Sequence, residues 1–269
     1  MITEIPAALV KQLRDLTGAG MMDCKRALVE TNGDLEAATR LLREKGLAEA
    51  GKRAGRETSE GKVLSRIDSG RGAIVAVGCE TEPVSQNEEF LAFAQHVLDV
   101  TAVEGPQAAT MLEDERVELV AKLGENIVVE GAERYEASNG EVVADYVHPP
   151  AGKIGVLVLA SGASPGLARL VAMHVAATRP AYVGRDEVPE AEVAAERELY
   201  EKLPEVAAKP EDVRPKIVEG MLAKRFFAAQ PGGVLTEQPW IHDSAKTVGQ
   251  ALADAGAAVV AFKRLSVAE

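Results

Sequence analysis

Apolar residues recur every three or four positions through the first 46 residues and alternate with polar ones after residue 61, so the chain changes character early. Over residues 3–46 the pattern predicts three short helices. Ile5, Leu9, Leu13 and Leu16 carry the first, and Thr17-Gly18-Ala19-Gly20 interrupts it. Met21 to Glu30 predicts the second, with Met22, Ala27 and Leu28 available for its inner face. Asn32-Gly33-Asp34 is a turn in which Asp34 can N-cap a third helix. Leu35, Ala38, Leu41 and Leu42 drive that helix, and Gly46 is its expected stop. Three such helices build only a small core, a marginal unit by itself. Residues 48–61 are polar, rich in small residues and locally basic, which predicts a linker.

Strand patterns follow. Lys62–Asp68 and Ala73–Cys79 flank Ser69-Gly70-Arg71-Gly72, a hairpin signal. Asn87 is placed to N-cap a helix carrying Phe90, Leu91, Ala94, Val97 and Leu98. Another helix is expected from Pro106 through Met111, Val117, Val120 and Leu123 to Gly124. Ile127–Ala137 and Glu141–Val147 predict a second hairpin about Ser138-Asn139-Gly140. Ile154–Ala160 is an apolar run expected as a buried strand, and Pro165–Ala177 an amphipathic helix. Residues 186–229 differ, with eleven acidic residues between Asp186 and Glu219 punctuated by four prolines; they predict helices on a hairpin or protruding arm. A helix over Ser244–Ala255 and a strand over Ala257–Val267 close the chain. The mixed order of strands and helices favours an α+β fold over a regular βαβ repeat.

Composition narrows the function classes. The chain has 269 residues, 46% hydrophobic and 27% charged, which excludes disordered, collagenous and rod-like classes. Its net charge is −12, unevenly spread: residues 1–56 hold 10 Lys and Arg against 8 Asp and Glu. An acidic body with 4% aromatics is unsuited to phosphate tracking or base stacking, so no direct nucleic-acid partner is expected. Cys24 and Cys79 lie far apart without CxxC spacing, as expected of a reducing, cytoplasmic setting. No signal peptide and no membrane span are expected, because the longest apolar runs are too short.

Few residues propose chemistry. Gly18-Ala19-Gly20 follows a helix rather than a strand, so a tight turn explains it better than a dinucleotide loop. Gly55 to Gly61-Lys62 has the wrong glycine spacing for a phosphate loop, and Val63 where Ser or Thr should meet magnesium. His96, His148, His174 and His242 lie on separate predicted elements without ligand spacing, so no metal and no cofactor are expected. No GxSxG motif is present, so no catalytic residue is assigned. What remains is surface. Met21 and Met22 are neighbours about 100° apart on a helix. Both cannot face inward, and one is expected to face out, where a methionine suits an adaptable partner contact. Thr81-Glu82-Pro83-Val84 lies between an apolar strand and a capped helix, and so is expected to be a loop.

At these residues the chain resembles the bacterial elongation factor Ts family, guanine-nucleotide exchange factors for elongation factor Tu. Leu13-Arg14-Asp15-Leu16-Thr17-Gly18-Ala19-Gly20-Met21-Met22-Asp23-Cys24-Lys25 is similar to that family's N-terminal signature. Cys79-Glu80-Thr81-Glu82-Pro83-Val84 stands where the family has a Thr-Asp-Phe-Val loop. Met173-His174-Val175-Ala176-Ala177 and Lys246-Thr247-Val248-Gly249-Gln250 complete the match, in family order.

The resemblance implies a ubiquitin-associated-like three-helix domain over 1–47, a linker over 48–61, and a core of two α+β subdomains. These would span 62–140 and 141–269, the second bearing the helical arm at about 186–229. It implies that a C-terminal helix of one family member has no counterpart here. It also implies a non-enzymatic cytoplasmic exchange factor that binds elongation factor Tu, GDP-bound and nucleotide-free. Met21, Met22 and Lys25 would grip the GTPase domain. Thr81, Glu82, Pro83 and Val84 would displace the partner's magnesium, and His174 would press near its phosphate loop. Trp240, Ile241 and His242 would anchor on a second domain. Glu82-Pro83 departs from the family's Asp-Phe wedge. A scaffold that binds without accelerating exchange is therefore the alternative, and a small-molecule enzyme on the same core has no supporting motif.

Overall fold

The structure is a computed structural model that describes residues 5–267. Residues 3 and 4 of the predicted helical stretch lie outside it. The fold is α+β. Contacts divide the described chain into two units: Ser65–Ile74 with Glu133–Leu265, and the remaining residues.

Three helices open the chain: α1 (Ala7–Thr17), α2 (Met21–Glu30) and α3 (Leu35–Arg53). Gly18 ends α1 at φ 65°, a left-handed position that suits glycine. The Asp34 side chain accepts from Ala37 N at 2.9 Å to cap α3. Val10, Leu13, Cys24, Ala27, Leu28 and Ala38 form the buried core. Three expectations are corrected here. Met22 is exposed and Cys24 takes its place inside; a helical step of two residues, about 200°, turns Met22 away from the Cys24 side. Leu16, at the end of α1, is exposed rather than inward. Gly46 does not stop α3, which continues to Arg53, so residues 48–53 are helical rather than linker. Gly46 is buried, and a Cβ there would lie 3.3 Å from the Cβ of Ala121, so its missing side chain serves a close helix crossing.

The hairpin β1 (Glu60–Asp68) and β2 (Arg71–Cys79) forms as predicted, with the turn tightened to Ser69 and Gly70, both at positive φ. A helical turn α4 (Glu82–Ser85) follows, then α5 (Glu88–Glu104), capped by Asn87 accepting from Glu89 N at 2.8 Å. The helix expected from Pro106 splits into a 3-10 segment, Pro106–Leu112, and α6 (Glu113–Leu123). Met111 lies on the 3-10 part and is exposed. Gly124 closes α6 at φ 76°.

Strands β3 (Ile127–Glu136) and β4 (Glu141–Val147) do form, but not as a hairpin. The sheets are β1-β2-β3 and β4-β5-β8, so the turn at 138–140 passes the chain from one sheet to another. Ala137 N bonds to Gly70 O at 2.9 Å, keeping the end of β3 with the first hairpin. β4 pairs antiparallel with β5 (Ile154–Ser161). Helix α7 (Pro165–Thr178) covers this sheet through Ala168, Val171, Ala172 and Val175.

The acidic stretch is helical: α8 (Glu190–Glu201), α9 (Pro204–Ala207) and α10 (Arg214–Met221), the last running into a π turn over Leu222–Phe227. Tyr200, Val206, Val218, Leu222 and Phe227 give it a core of its own. Contrary to the predicted helix over Ser244–Ala255, residues 244–247 are not helical. They belong to β7 (Asp243–Thr247), paired with β6 (Pro239–Trp240), and α11 (Val248–Asp254) starts at a Thr247/Gln250 capping box. β8 (Ala258–Ser266) closes the second sheet.

Candidate functional site

The N-terminal residues are on the surface. Cys24, Ala27 and Leu28 seat α2, which leaves Met21, Met22 and Lys25 exposed. Met21 is 49% and Met22 61% exposed, so both methionines face out, not one. Leu16 and Val29 add apolar surface on the same helices. In the same unit, Arg43 of α3 donates to Asp114 of α6 at 2.5 Å.

The expected loop at 81–84 is a single helical turn. Glu82 and Pro83 hold its first positions, where the N–H that proline lacks has no helical partner to lose. Thr81, Glu82 and Pro83 are exposed, Val84 is half-buried, and Ser85 is buried with its hydroxyl donating to Glu82 O at 2.8 Å. The Cys79 thiol beneath donates to Thr81 O at 3.4 Å. The Glu125 carboxylate, at the end of α6, accepts from Thr81 N at 3.0 Å and from Thr81 Oγ1 at 2.5 Å.

His174, Trp240, Ile241 and His242 come together in the other unit. His174 has no solvent exposure. Its Nε2–H donates to Gln238 Oε1 at 3.0 Å, and its Nδ1 accepts from Ile241 N at 3.4 Å, so the imidazole is neutral with the proton on Nε2. Burial pushes its pKa down to about 4; the hydrogen bond to Gln238 opposes this and the nearby His242 adds to it. Gln238 is itself buried, with partners for both its oxygen and its amide. Its oxygen also accepts from Thr178 Oγ1 at 2.8 Å, and its amide donates to Ala229 O at 2.7 Å and Gly232 O at 2.6 Å. Trp240 is 5% exposed, with its ring 5.2 Å from His174 and 4.6 Å edge-on from His242. Ile241 and His242 are exposed, and His242 Nε2 donates to Leu170 O at 3.1 Å. Among the described residues, no three His, Cys, Asp or Glu gather as a metal-ligand set, and no helix is long and apolar enough to cross a membrane.

Residues 80–269 match the family model described as Elongation factor TS. An Elongation factor Ts of Pasteurella multocida is 42% identical over 274 residues, covering 100% of this chain and 93% of its own. That of Shewanella amazonensis is 45% identical over 268 residues, covering 98% and 91%. That of Vibrio cholerae is 43% identical over 270 residues, covering 98% and 92%. This chain belongs to the elongation factor Ts family.

Membership makes it a factor of the elongation stage of translation, as the four motifs implied. Elongation factor Ts relatives align from end to end, so the likeness includes the helices that precede residue 80. Sequence reasoning missed Gln238, Thr178 and Glu125, which lie next to the motifs in space. Thr178 stands one helical turn after His174 and Gln238 two positions before Trp240, but a lone polar residue at either spacing does not announce a buried network, and Glu125 lies 44 positions from Thr81.

Proposed function

We propose that this member of the elongation factor Ts family binds elongation factor Tu in its GDP-bound and nucleotide-free forms and promotes GDP release. No covalent chemistry is needed, so it is not an enzyme in the strict sense. GDP on a translational GTPase is held by phosphate-loop amides and by magnesium that neutralises the phosphates. A factor that binds the nucleotide-free form more tightly weakens nucleotide binding by the same factor. Met21, Met22 and Lys25 grip the GTPase domain through the exposed face of α2. Thr81, Glu82, Pro83 and Val84 act as a wedge that dislodges the magnesium. Ile241 and His242 anchor on a second domain. His174 and Trp240 support that anchor from beneath, and His174 holds the Ile241 N–H. The domain plan is 1–47, 62–140 and 141–269, with the 186–229 helices as the arm, and the protein works in the cytoplasm.

The exposed Glu82-Pro83 turn, at the end of a buried strand, is the observation that carries this reading. Proline offers less apolar area than the family's Phe, whose burial is worth about 1.5–3 kcal/mol. Stopped-flow release of a fluorescent GDP analogue from the cognate elongation factor Tu, at fixed magnesium, tests it. Acceleration by the protein is the expected result. Calorimetric binding without acceleration would replace exchange with a scaffold role, and neither binding nor acceleration would remove the reading altogether.

A further inference from the structure

The neck of the 81–84 turn is fastened from both sides. β2 ends at Cys79, and Glu80 and Thr81 carry the chain to α4. α6 ends at Leu123, Gly124 caps it, and Glu125 and Asn126 carry the chain into β3. The Glu125 carboxylate accepts from Glu80 N at 3.1 Å, Thr81 N at 3.0 Å and Thr81 Oγ1 at 2.5 Å. In return, the Glu80 carboxylate accepts from Asn126 N at 2.6 Å. Arg56 lies 3.4 Å from both Glu80 oxygens, and its carbonyl accepts from Asn126 Nδ2 at 2.8 Å. Each connection therefore donates main-chain N–H groups to the other's carboxylate. Bonds to an ionised acceptor are the short, strong kind. Glu125 is half-buried, so water competes for these bonds less than on an open surface.

We infer that Glu125, working with Glu80, is a positioning residue for exchange: this reciprocal latch sets the place and direction of the Thr81–Val84 turn. The inference rests on the exchange reading above. A wedge works only if it is stiff when it meets its partner, because a floppy one spends binding energy on being ordered. Glu82 and Pro83 are exposed, so little of their stiffness comes from packing and the neck must supply it. Glu125 touches neither partner nor nucleotide in this account; it acts through Thr81.

The test uses the full chain, Glu125→Ala and Glu125→Gln, with GDP-analogue release measured at rising factor concentration. Glu125→Ala is expected to lower the saturating release rate roughly tenfold, the loss from one charge-assisted bond or more, and to move the half-saturating concentration less than twofold. Glu125→Gln is expected in between, since one oxygen still accepts from the main chain. Rates are normalised to the fraction of factor able to bind, so partial misfolding alone leaves them unchanged. Amide hydrogen exchange at Glu80 and Thr81 is the second readout, expected to be slow in the wild type and fast in Glu125→Ala. A saturating rate within twofold of wild type, or equal amide protection, overturns the inference. A wild-type protein that fails to accelerate release overturns the exchange reading instead, and amide protection then decides alone whether the latch exists.

Discussion

Acidification tests the His174 network directly. The folded imidazole titrates at about 4, against 6.5 for the free side chain, because burial disfavours its charged form. Protonation must occur on Nδ1, which now accepts from Ile241 N, so the new N–H would point at another N–H. Between pH 6.5 and 4 the unfolded chain holds this proton and the folded chain does not. Unfolding free energy therefore rises with pH in that window. The contribution is complete above 6.5, is lost as pH falls toward 4, and changes no further below. A gap of about 2.5 on the pH scale, at about 1.36 kcal/mol per step of one, amounts to about 3 kcal/mol. That is a large share of a typical stability of about 5–15 kcal/mol. Urea unfolding followed by circular dichroism, for wild type and His174→Gln across this range, reads the effect as a difference, so titrating carboxylates common to both cancel. Wild type should lose about 3 kcal/mol more than the variant between neutrality and pH 4. Parallel curves, or an imidazole midpoint above about 6 by NMR, would refute the argument.

Three further outcomes follow. Gly46→Val should destabilise the N-terminal unit by about 1–2 kcal/mol, visible as a lower Tm, because the added methyls meet Ala121 and overpacking outweighs the gain in helix propensity; a raised Tm would show that α3 and α6 can part freely. Met22→Ala should leave stability within about 0.5 kcal/mol, since the side chain is exposed, yet weaken calorimetric binding to nucleotide-free elongation factor Tu about tenfold; unchanged affinity would remove Met22 from the contact surface. Pro83→Phe should raise the GDP-release rate about tenfold by restoring apolar area to the wedge, and an unchanged rate would mean that the ring has no receiving pocket.

The sequence was most informative where structure is local. Asn87 and Asp34 announced their caps, and each does accept the expected main-chain bonds. The three N-terminal helices and the first hairpin followed from period and local turn residues. Errors arose where distant partners decide. Glycine ends helices often enough that Gly46 looked terminal, and only Ala121, 75 positions away, explains why it lies inside one. Ser138-Asn139-Gly140 has hairpin composition, but whether its flanking strands share a sheet depends on β5 and on the first hairpin. The late start of α11 is legible in the sequence, because Thr247 and Gln250 have capping-box spacing. Met21 and Met22 show a milder failure. Angular spacing required one to face out, but the first turn of a helix can leave both outside when later positions, here Cys24, Ala27 and Leu28, are enough to seat it.

The motif residues divide into two kinds. Met21, Met22, Lys25, Glu82, Pro83, Ile241 and His242 face solvent, as the proposed contacts must. His174 and Trp240 do not, although the family motif draws equal attention to them. A buried imidazole with both nitrogens bonded is costly to extract: it would abandon Gln238 and Ile241 and leave Gln238 with one acceptor position unfilled. A motif residue at a buried position therefore points to the shape of the neighbouring surface. Glu125 and Gln238 belong with His174 in this respect. One holds the turn at Thr81 and the other the segment before Ile241, each by hydrogen bonds to groups whose exposed neighbours are the proposed contacts. On the proposed reading, part of the polar interior holds surfaces still: Glu125 and Gln238 are bonded beneath or beside the proposed contacts.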